Sequence, residues 1–280
     1  MKTKQMRVVF AAVLTVVVLA SAAFGGETLN FGVAPGPYGD FVKKALKPGL
    51  EKKGYKVDVK EFSDYVQPNL ALNNGSINVN VFQHLPYLEK FSKDKGLKIS
   101  PIRFAKGGKE PIIIPTAGLG LYSRKIKSID QLKSGDEVTL ANDPTNLARA
   151  LRLLQKHGLI KLKTEIDPAK ASEKDIAENP RGIRIRPIEA AQIPRSLDSV
   201  AIAVINGNYA IAAGIPLDSA LIKEELDDSL KIVIAVRTED LEKQFAKDIL
   251  AVVESPEFKK AAYNPKDVFK DFQFPGWLRR

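Results

Sequence analysis

Short apolar runs alternate with helix-patterned stretches along nearly the whole chain, and this alternation restricts its architecture more than any other feature. Thr28 to Ala34 and Tyr55 to Phe62 read as strands, and the stretch between them, Tyr38 to Lys53, reads as a helix with a kink or break expected at Pro48. Asp64 precedes a short helix with Pro68 near its start, Ile77 to Phe82 is a strand, and His84 to Lys95 is a helix stopped by Gly96. Further strands fit Leu97 to Phe104, Ile112 to Ile114, Leu119 to Tyr122, Glu137 to Ala141, Ile183 to Pro187, Val200 to Ile205 and Lys231 to Val236. Asp143 and Pro144 open a strong helix that Gly158 ends, Ser172 to Asp175 is a start signal, and helices fill Thr238 to Ala262. Such a chain packs as α/β layers, sheets flanked by helices.

The first 26 residues do not share this pattern. Lys2, Lys4 and Arg7 precede an apolar run from Val8 to Phe24 broken only by Thr15 and Ser21, with small residues at Ala20, Ala22, Ala23, Gly25 and Gly26. That is the order of a secretory signal peptide, so residues 1–26 are expected to direct export to a periplasmic or other extracytoplasmic space. Cleavage fits after Ala22 or after Gly25, and the sequence leaves both open. An uncleaved N-terminal anchor is the alternative, although the run is short of the roughly 20 residues a spanning helix needs.

Charge and composition exclude several function classes. The formal net charge is +10, but lysines are interspersed with acids, as at Glu51-Lys52-Lys53 and Lys93-Asp94-Lys95, and no basic ladder interleaved with aromatics occurs. These are solvated helix faces, and no nucleic-acid partner is expected. Without cysteine there is no thiolate nucleophile, Cys-ligated zinc or iron–sulfur cluster, and two histidines leave little for a metal site, so neither metal nor cofactor is expected. Gly107-Gly108-Lys109 is followed by Glu110 instead of Ser or Thr, and Gly118-x-Gly120 has Ser123 where a third glycine belongs, so both read as turns. His157 reads as a helix C-terminal residue and the pair Asp227 and Asp228 as solvated. The chain is not expected to be an enzyme.

Three segments carry more polar and aromatic groups than folding requires. Phe82-Gln83-His84-Leu85-Pro86-Tyr87 joins a strand end to a helix start, where α/β folds place ligands, with an aromatic core cluster as the alternative. In Asn142 to Arg149, Asn146 and Arg149 are three apart and share a face near the positive end of a helix, which suits a carboxylate. The alternative there is an ion pair between Arg149 and a local acid such as Asp143. Ile205-Asn206-Gly207-Asn208-Tyr209-Ala210 offers two amides after an apolar strand, or simply turn and cap residues.

Six blocks in one order carry a family resemblance: Asp64-Tyr65-Val66-Gln67-Pro68-Asn69, Phe82-Gln83-His84-x-Pro86-Tyr87-Leu88, Leu121-Tyr122-Ser123-x-Lys125-Ile126-Lys127-Ser128, Asn142-Asp143-Pro144-x-Asn146-x-Ala148-Arg149-Ala150-Leu151, Ala191-Gln192-x-Pro194-Arg195-Ser196-Leu197 and Ala203-Val204-Ile205-Asn206-x-Asn208-Tyr209-Ala210. Together they resemble the methionine-binding lipoprotein family, the extracytoplasmic receptors of methionine ABC importers, from about Leu29 to Trp277. The resemblance implies a two-lobed periplasmic-binding-protein fold of type II-like architecture, each lobe a sheet flanked by helices. Its lobes would be 27–114 plus 234–280 and 115–233, with crossings near Pro111 to Ala117 and near Ile232 to Ala235. It also implies a receptor that binds methionine or a closely related amino acid between the lobes and delivers it to an ABC permease in the inner membrane. Arg149 would pair the ligand carboxylate with help from Asn146, Asn206 and Asn208 would hold the amino and carboxylate groups, and Tyr65, Phe82, a neutral His84 and Tyr87 would wall the side-chain pocket.

Two departures bear on what carries over. Gly25-Gly26-Glu27 stands where the family has its lipidated cysteine, so the mature protein would be freely soluble or held by an uncleaved leader. The stretch Pro111 to Gly118 lacks the family's usual Pro shortly before the Leu-Tyr-Ser block, which leaves the amino acid, its stereochemistry or a short methionine-containing peptide open. A secreted interaction module on the same fold is the alternative from another class.

Overall fold

The computed structural model describes residues 26–104, 110–263 and 268–278; residues 1–25 of the expected leader and Gly107-Gly108-Lys109 lie outside the described residues. In chain order, β1 (Thr28–Val33) leads into a helical connection of three pieces, α1 (Tyr38–Phe41), a π-helical turn Val42–Leu46, and α2 (Lys47–Lys52). The irregularity expected at Pro48 is this widened turn just ahead of it. Pro48 has no N–H, and Lys47 N donates to Val42 O, five residues back. β2 (Lys56–Glu61) follows, then α3 (Gln67–Asn73), whose start is held by Asp64 Oδ1 accepting from Val66 N and Gln67 N. β3 (Val79–His84) runs directly into α4 (Leu85–Lys95), which Gly96 ends in the left-handed conformation at φ 64°.

β4 (Ile99–Pro101) is shorter than the expected Leu97 to Phe104, because Leu97 N is used to close α4 on Ser92 O, and beyond Ile102, whose N still donates to Ile234 O, the chain turns to pair Arg103 with Pro111. β5 (Ile113–Ile114), β6 (Leu119–Tyr122) and β7 (Glu137–Ala141) precede α5 (Pro144–Lys156), which His157 caps at its C-terminus. β8 (Lys161–Leu162) and β9 (Ile176–Glu178) form a separate two-stranded ribbon. Ser172 to Asp175 therefore opens only a single 3-10 turn, because Ile176 immediately enters β9 and pairs with Leu162. β10 (Arg184–Ile188), α6 (Ile193–Ser196), β11 (Ile202–Asn206), α7 (Gly207–Ala212), β12 (Ile222–Lys223), β13 (Ile232–Arg237), α8 (Gln244–Val253) and α9 (Pro256–Ala262) complete the chain.

Two sheets result. The first has the order β2-β1-β3-β13-β4, with β5 also on β13, and the second β10-β7-β11-β6-β12. Both are mixed: β1, β2 and β3 are parallel and β13 antiparallel to β3, while β7 is parallel to β10 and β11 and β6 is antiparallel to β11. Along β13, Ile234 and Val236 join one apolar cluster with Phe31, Val81, Phe245 and Phe258, whereas Val233 and Ala235 join another with Ile77, Leu88 and Ile113. Both faces of that sheet are thus covered, which is the two-period signature of a buried strand. On the second sheet, Leu147, Leu151 and Leu154 of α5, spaced by helical turns, pack on Val138, Leu140, Ile202 and Val204. Gly120, expected in a turn, lies inside β6, where a Cβ would stand 2.5 Å from the Tyr122 ring.

The chain leaves the first sheet after Ile114, enters the second at Leu119, and returns between Lys223 and Ile232. Ile232 already pairs with His84 and Ile114, so the return passage lies upstream of the expected Ile232 to Ala235, and the boundary expected after residue 233 falls inside β13. The C-terminal segment ties both passages. Gln273 exchanges backbone hydrogen bonds with Thr116 at 3.2 and 2.9 Å, and its side-chain amide donates to Glu224 O and accepts from Leu226 N, each at 2.6 Å.

Candidate functional site

A cavity lies between the two sheets, and all eight residues expected at the site line it: Tyr65, Phe82, His84, Tyr87, Asn146, Arg149, Asn206 and Asn208. Tyr38, Gln83, Thr116, Ala117 and Ile232 complete the lining. Thr116 and Ala117 belong to the first passage and Ile232 to the strand that follows the second, so the cavity abuts both.

One wall comes from the first sheet. Tyr65 follows β2, Phe82 and His84 end β3, and Tyr87 sits in the first turn of α4. Tyr65 stacks on Phe82 at 5.8 Å between centroids, and Tyr87 meets both edge-on, at 5.9 and 6.2 Å, with Phe91 stacked behind it at 5.6 Å. Offset and edge-to-face contacts of this kind give the wall a fixed shape. His84 caps α4: its Nδ1 accepts from Tyr87 N at 3.2 Å, so its proton is on Nε2, which faces Asn146 Oδ1 at 3.3 Å. Burial, with Arg149 nearby, pushes His84 down to about 3, so the ring is neutral at physiological pH. Burial likewise drives the Tyr65 and Tyr87 phenols up, and both remain neutral donors.

The opposite wall comes from the second sheet. Asp143 caps α5, accepting from Asn146 N at 3.0 Å, and its two carboxylate oxygens also take the Asn146 amide at 3.1 and 2.9 Å. This turns Asn146 Oδ1 toward the cavity, where it accepts from Asn206 Nδ2 at 3.1 Å and more distantly from Arg149 at 3.5 Å. Asn206 ends β11 and Asn208 opens α7. Asn208 Oδ1 accepts from the Tyr65 hydroxyl at 2.6 Å and its amide donates to Pro35 O at 3.0 Å, so two hydrogen bonds from this one residue reach across to the other wall. Gly36, at φ 112°, permits that approach; a Cβ there would stand 2.4 Å from Asn208 O.

Arg149 is 4% exposed and does pair with an acid, though not with Asp143. Its partner is Glu224, one residue past β12 and 7% exposed: Nε donates to Oε1 at 2.7 Å and Nη2 to Oε2 at 2.5 Å. Nothing in the sequence around Glu224 singles it out, since Lys223-Glu224-Glu225-Leu226-Asp227-Asp228 reads as a solvated charged stretch. Gln83 sits inside a motif already noted and could have been included on that ground; Tyr38, Thr116, Ala117 and Ile232 carry no local signal. Among the described residues, the side-chain oxygen of Asn206 is buried without a hydrogen-bond partner, an acceptor left open at the cavity. The arrangement offers one guanidinium edge, one free acceptor and an aromatic wall, with no carboxylate on the surface itself. Among the described residues no helix is long and apolar enough to cross a membrane.

Comparison with known proteins agrees with this architecture. Residues 29–277 match the NlpA lipoprotein family. The chain is 40% identical over 252 residues, 89% of this chain and 88% of the relative, to the D-methionine-binding lipoprotein MetQ of Salmonella typhi. A periplasmic substrate-binding protein of an ABC transporter from Coxiella burnetii superposes with a TM-score of 0.77 at 37% identity, covering 88% of this chain and all of that one. A nutrient binding protein from Burkholderia cenocepacia, solved bound to methionine, gives 0.77 at 39% identity over 86% of this chain and 97% of that one. With the two mixed sheets, the double passage and the cavity between them, the chain belongs to the NlpA lipoprotein family.

Proposed function

We propose that this protein is the extracytoplasmic substrate-binding component of an ABC importer and that the cavity takes methionine or a closely related neutral amino acid for delivery to an inner-membrane permease. The observation that carries the reading is the pairing, in one buried cavity, of the free edge of Arg149 with the open acceptor of Asn206, opposite an aromatic wall. A zwitterion costs several kcal/mol to desolvate unless both charges find partners. Here the carboxylate meets Arg149 with Asn146 beside it, the ammonium meets Asn206 with Asn208 beside it, and the thioether lies against Tyr65, Phe82 and Tyr87, whose ring edges suit a polarizable sulfur. His84 acts as a neutral wall and needs no metal. The protein binds and releases its ligand unchanged, with no catalytic step. The Salmonella relative's name and the methionine in the Burkholderia structure support this choice of ligand.

In the same reading the two sheets with their helices form two lobes that open about residues 115–118 and 224–231. Ligand selects the closed state because only that state brings both walls to it. The leader exports the chain, and mature protein is recovered in the periplasmic soluble fraction with its N-terminus between Ala23 and Glu27. The deciding experiment adds methionine to purified protein and follows melting temperature and Trp or Tyr fluorescence. At 100 times the dissociation constant, binding stabilises by about 2.7 kcal/mol. Small-angle scattering at saturation is expected to show compaction. No response to any amino acid or short peptide would favour a secreted interaction module on this fold.

A further inference from the structure

The guanidinium of Arg149 is already engaged before any ligand arrives, through Nε and Nη2 on Glu224 and, at 3.5 Å, through Nη1 on Asn146. We propose that Glu224 determines the net charge of the ligand this cavity accepts, by neutralising Arg149 and fixing its plane so that a single edge faces the ligand. The inference rests on the reading of the cavity as an amino-acid site and adds to it a specificity residue that does not touch the ligand.

The geometry behind it is specific. Glu224 does not line the cavity; it stands behind Arg149, takes two near-parallel hydrogen bonds at 2.7 and 2.5 Å, and accepts a third from Leu119 N at 2.8 Å. A carboxylate held by three donors in a buried place cannot swing away to follow a ligand, and a bidentate Arg–carboxylate pair fixes both partners' planes. The main chain is built to admit it. Glu224 N donates to Leu119 O at 2.9 Å, and a Cβ on Gly118 would stand 3.0 Å from Glu224 O and 3.3 Å from its side-chain Oε2.

Charge then decides what fits. Arg149 is the one charged residue of the lining, since His84 is held neutral by accepting the Tyr87 N–H. Asp143, behind the polar wall, is occupied by the Asn146 amide and the Thr145 hydroxyl. An unpaired arginine in such a cavity would favour an anion. Paired with Glu224 it leaves the site neutral, so a ligand bearing both a carboxylate and an ammonium preserves neutrality, and an anion of the same shape leaves a charge uncompensated.

Methionine and its hydroxy analogue, 2-hydroxy-4-(methylthio)butanoate, share a skeleton and differ in having an ammonium or a hydroxyl, hence zero or −1 net charge. Calorimetric titration of both into wild type, Glu224→Gln and Glu224→Asp tests the proposal. Wild type is expected to prefer methionine by tenfold or more. Glu224→Gln should lower that preference at least tenfold, and Glu224→Asp, which keeps the charge but not the reach, should weaken both ligands while keeping the preference within threefold of wild type. An unchanged preference in Glu224→Gln overturns the proposal. Should that variant not fold, wild type binding the two ligands within threefold of each other overturns it, as does a Glu224→Asp variant with unaltered affinities. Wild type binding neither ligand removes the amino-acid reading itself, an outcome distinct from the loss of Glu224's role alone.

Discussion

The two walls of the cavity are built by opposite means. The aromatic wall draws Tyr65, Phe82, His84 and Tyr87 from one short stretch, and these rings hold one another through contacts of 5.8 to 6.2 Å. The polar wall draws Asn146, Arg149, Asn206 and Asn208 from two distant stretches and depends on carboxylates for its shape, Asp143 behind Asn146 and Glu224 behind Arg149. Apolar rings need only other rings to be stable in a buried place, whereas a buried amide or guanidinium loses several kcal/mol of hydration unless each donor and acceptor is matched. The aromatic half is therefore local in sequence, and the polar half recruits partners from wherever the chain can supply charge.

Substitutions that separate the walls sharpen this contrast, and the largest effect belongs to Arg149. Arg149→Ala strands the Glu224 carboxylate in a buried place, and breaking such a pair removes about 3 to 5 kcal/mol of stability. Methionine affinity should fall by tens to thousands of fold, about 2 to 5 kcal/mol, with Arg149→Lys recovering only part. Denaturant titration and calorimetry measure the two losses; binding within about threefold of wild type, roughly 0.65 kcal/mol, would place the carboxylate elsewhere.

Next in size is the pH response of the aromatic wall. His84 is lowered from 6.5 to about 3, so above pH 6.5 it is neutral folded or unfolded and contributes no slope. As pH falls below 6.5 the unfolded chain takes up a proton that the folded site refuses, and stability drops until about pH 3. The loss by pH 5 is about 2 kcal/mol. Denaturant midpoints at pH 7 and pH 5 should converge once His84→Gln removes the titrating ring, and an identical slope in wild type and variant would show that His84 is protonated in place.

A smaller effect attends Tyr65→Phe, which keeps the ring stack but deletes the 2.6 Å hydrogen bond to Asn208 across the cavity. About 1 kcal/mol should be lost from the closed state, read as a roughly fivefold weaker ligand and a larger radius of gyration in scattering. Tyr87→Phe removes a 3.2 Å bond that stays within one wall, to Tyr65 O, and should cost only about 0.5 kcal/mol of stability with no change in closure. Equal effects on closure from both tyrosines would erase the distinction between bonds within a wall and bonds across the cavity.

Legibility in the sequence follows the same division. Strand and helix signals such as Asp143-Pro144 and Gly96 are local, and they lie where the structure has α5 starting and α4 ending. The eight expected residues of the cavity were recoverable because they fall in compact blocks beside strand ends and helix starts. Glu224 was not, since its only distinguishing property is a partner 75 positions away, and its charged neighbours disguise it. The return passage was misplaced for a related reason. Residues 224–231 are hydrophilic and irregular, and only pairing of Ile232 with His84 and Ile114 reveals where β13 begins. Ser172 to Asp175 misled because a capping box closes a single turn as well as it opens a long helix.

The strand order of the first sheet also bears on how the chain reaches its native state. Every strand of the second sheet lies between Leu119 and Lys223, so that sheet can be completed from one uninterrupted stretch of polypeptide. In the first sheet β13, the last strand among the described residues, inserts between β3 and β4, which precede it by well over a hundred residues. Until Ile232 to Arg237 arrive, β3 and β4 keep open edges and the cluster around Val233 and Ala235 has no centre. Loop-closure entropy for that insertion must be met before any of its contacts form, so it is expected to be the slow step of refolding, with the second sheet gaining hydrogen-exchange protection first.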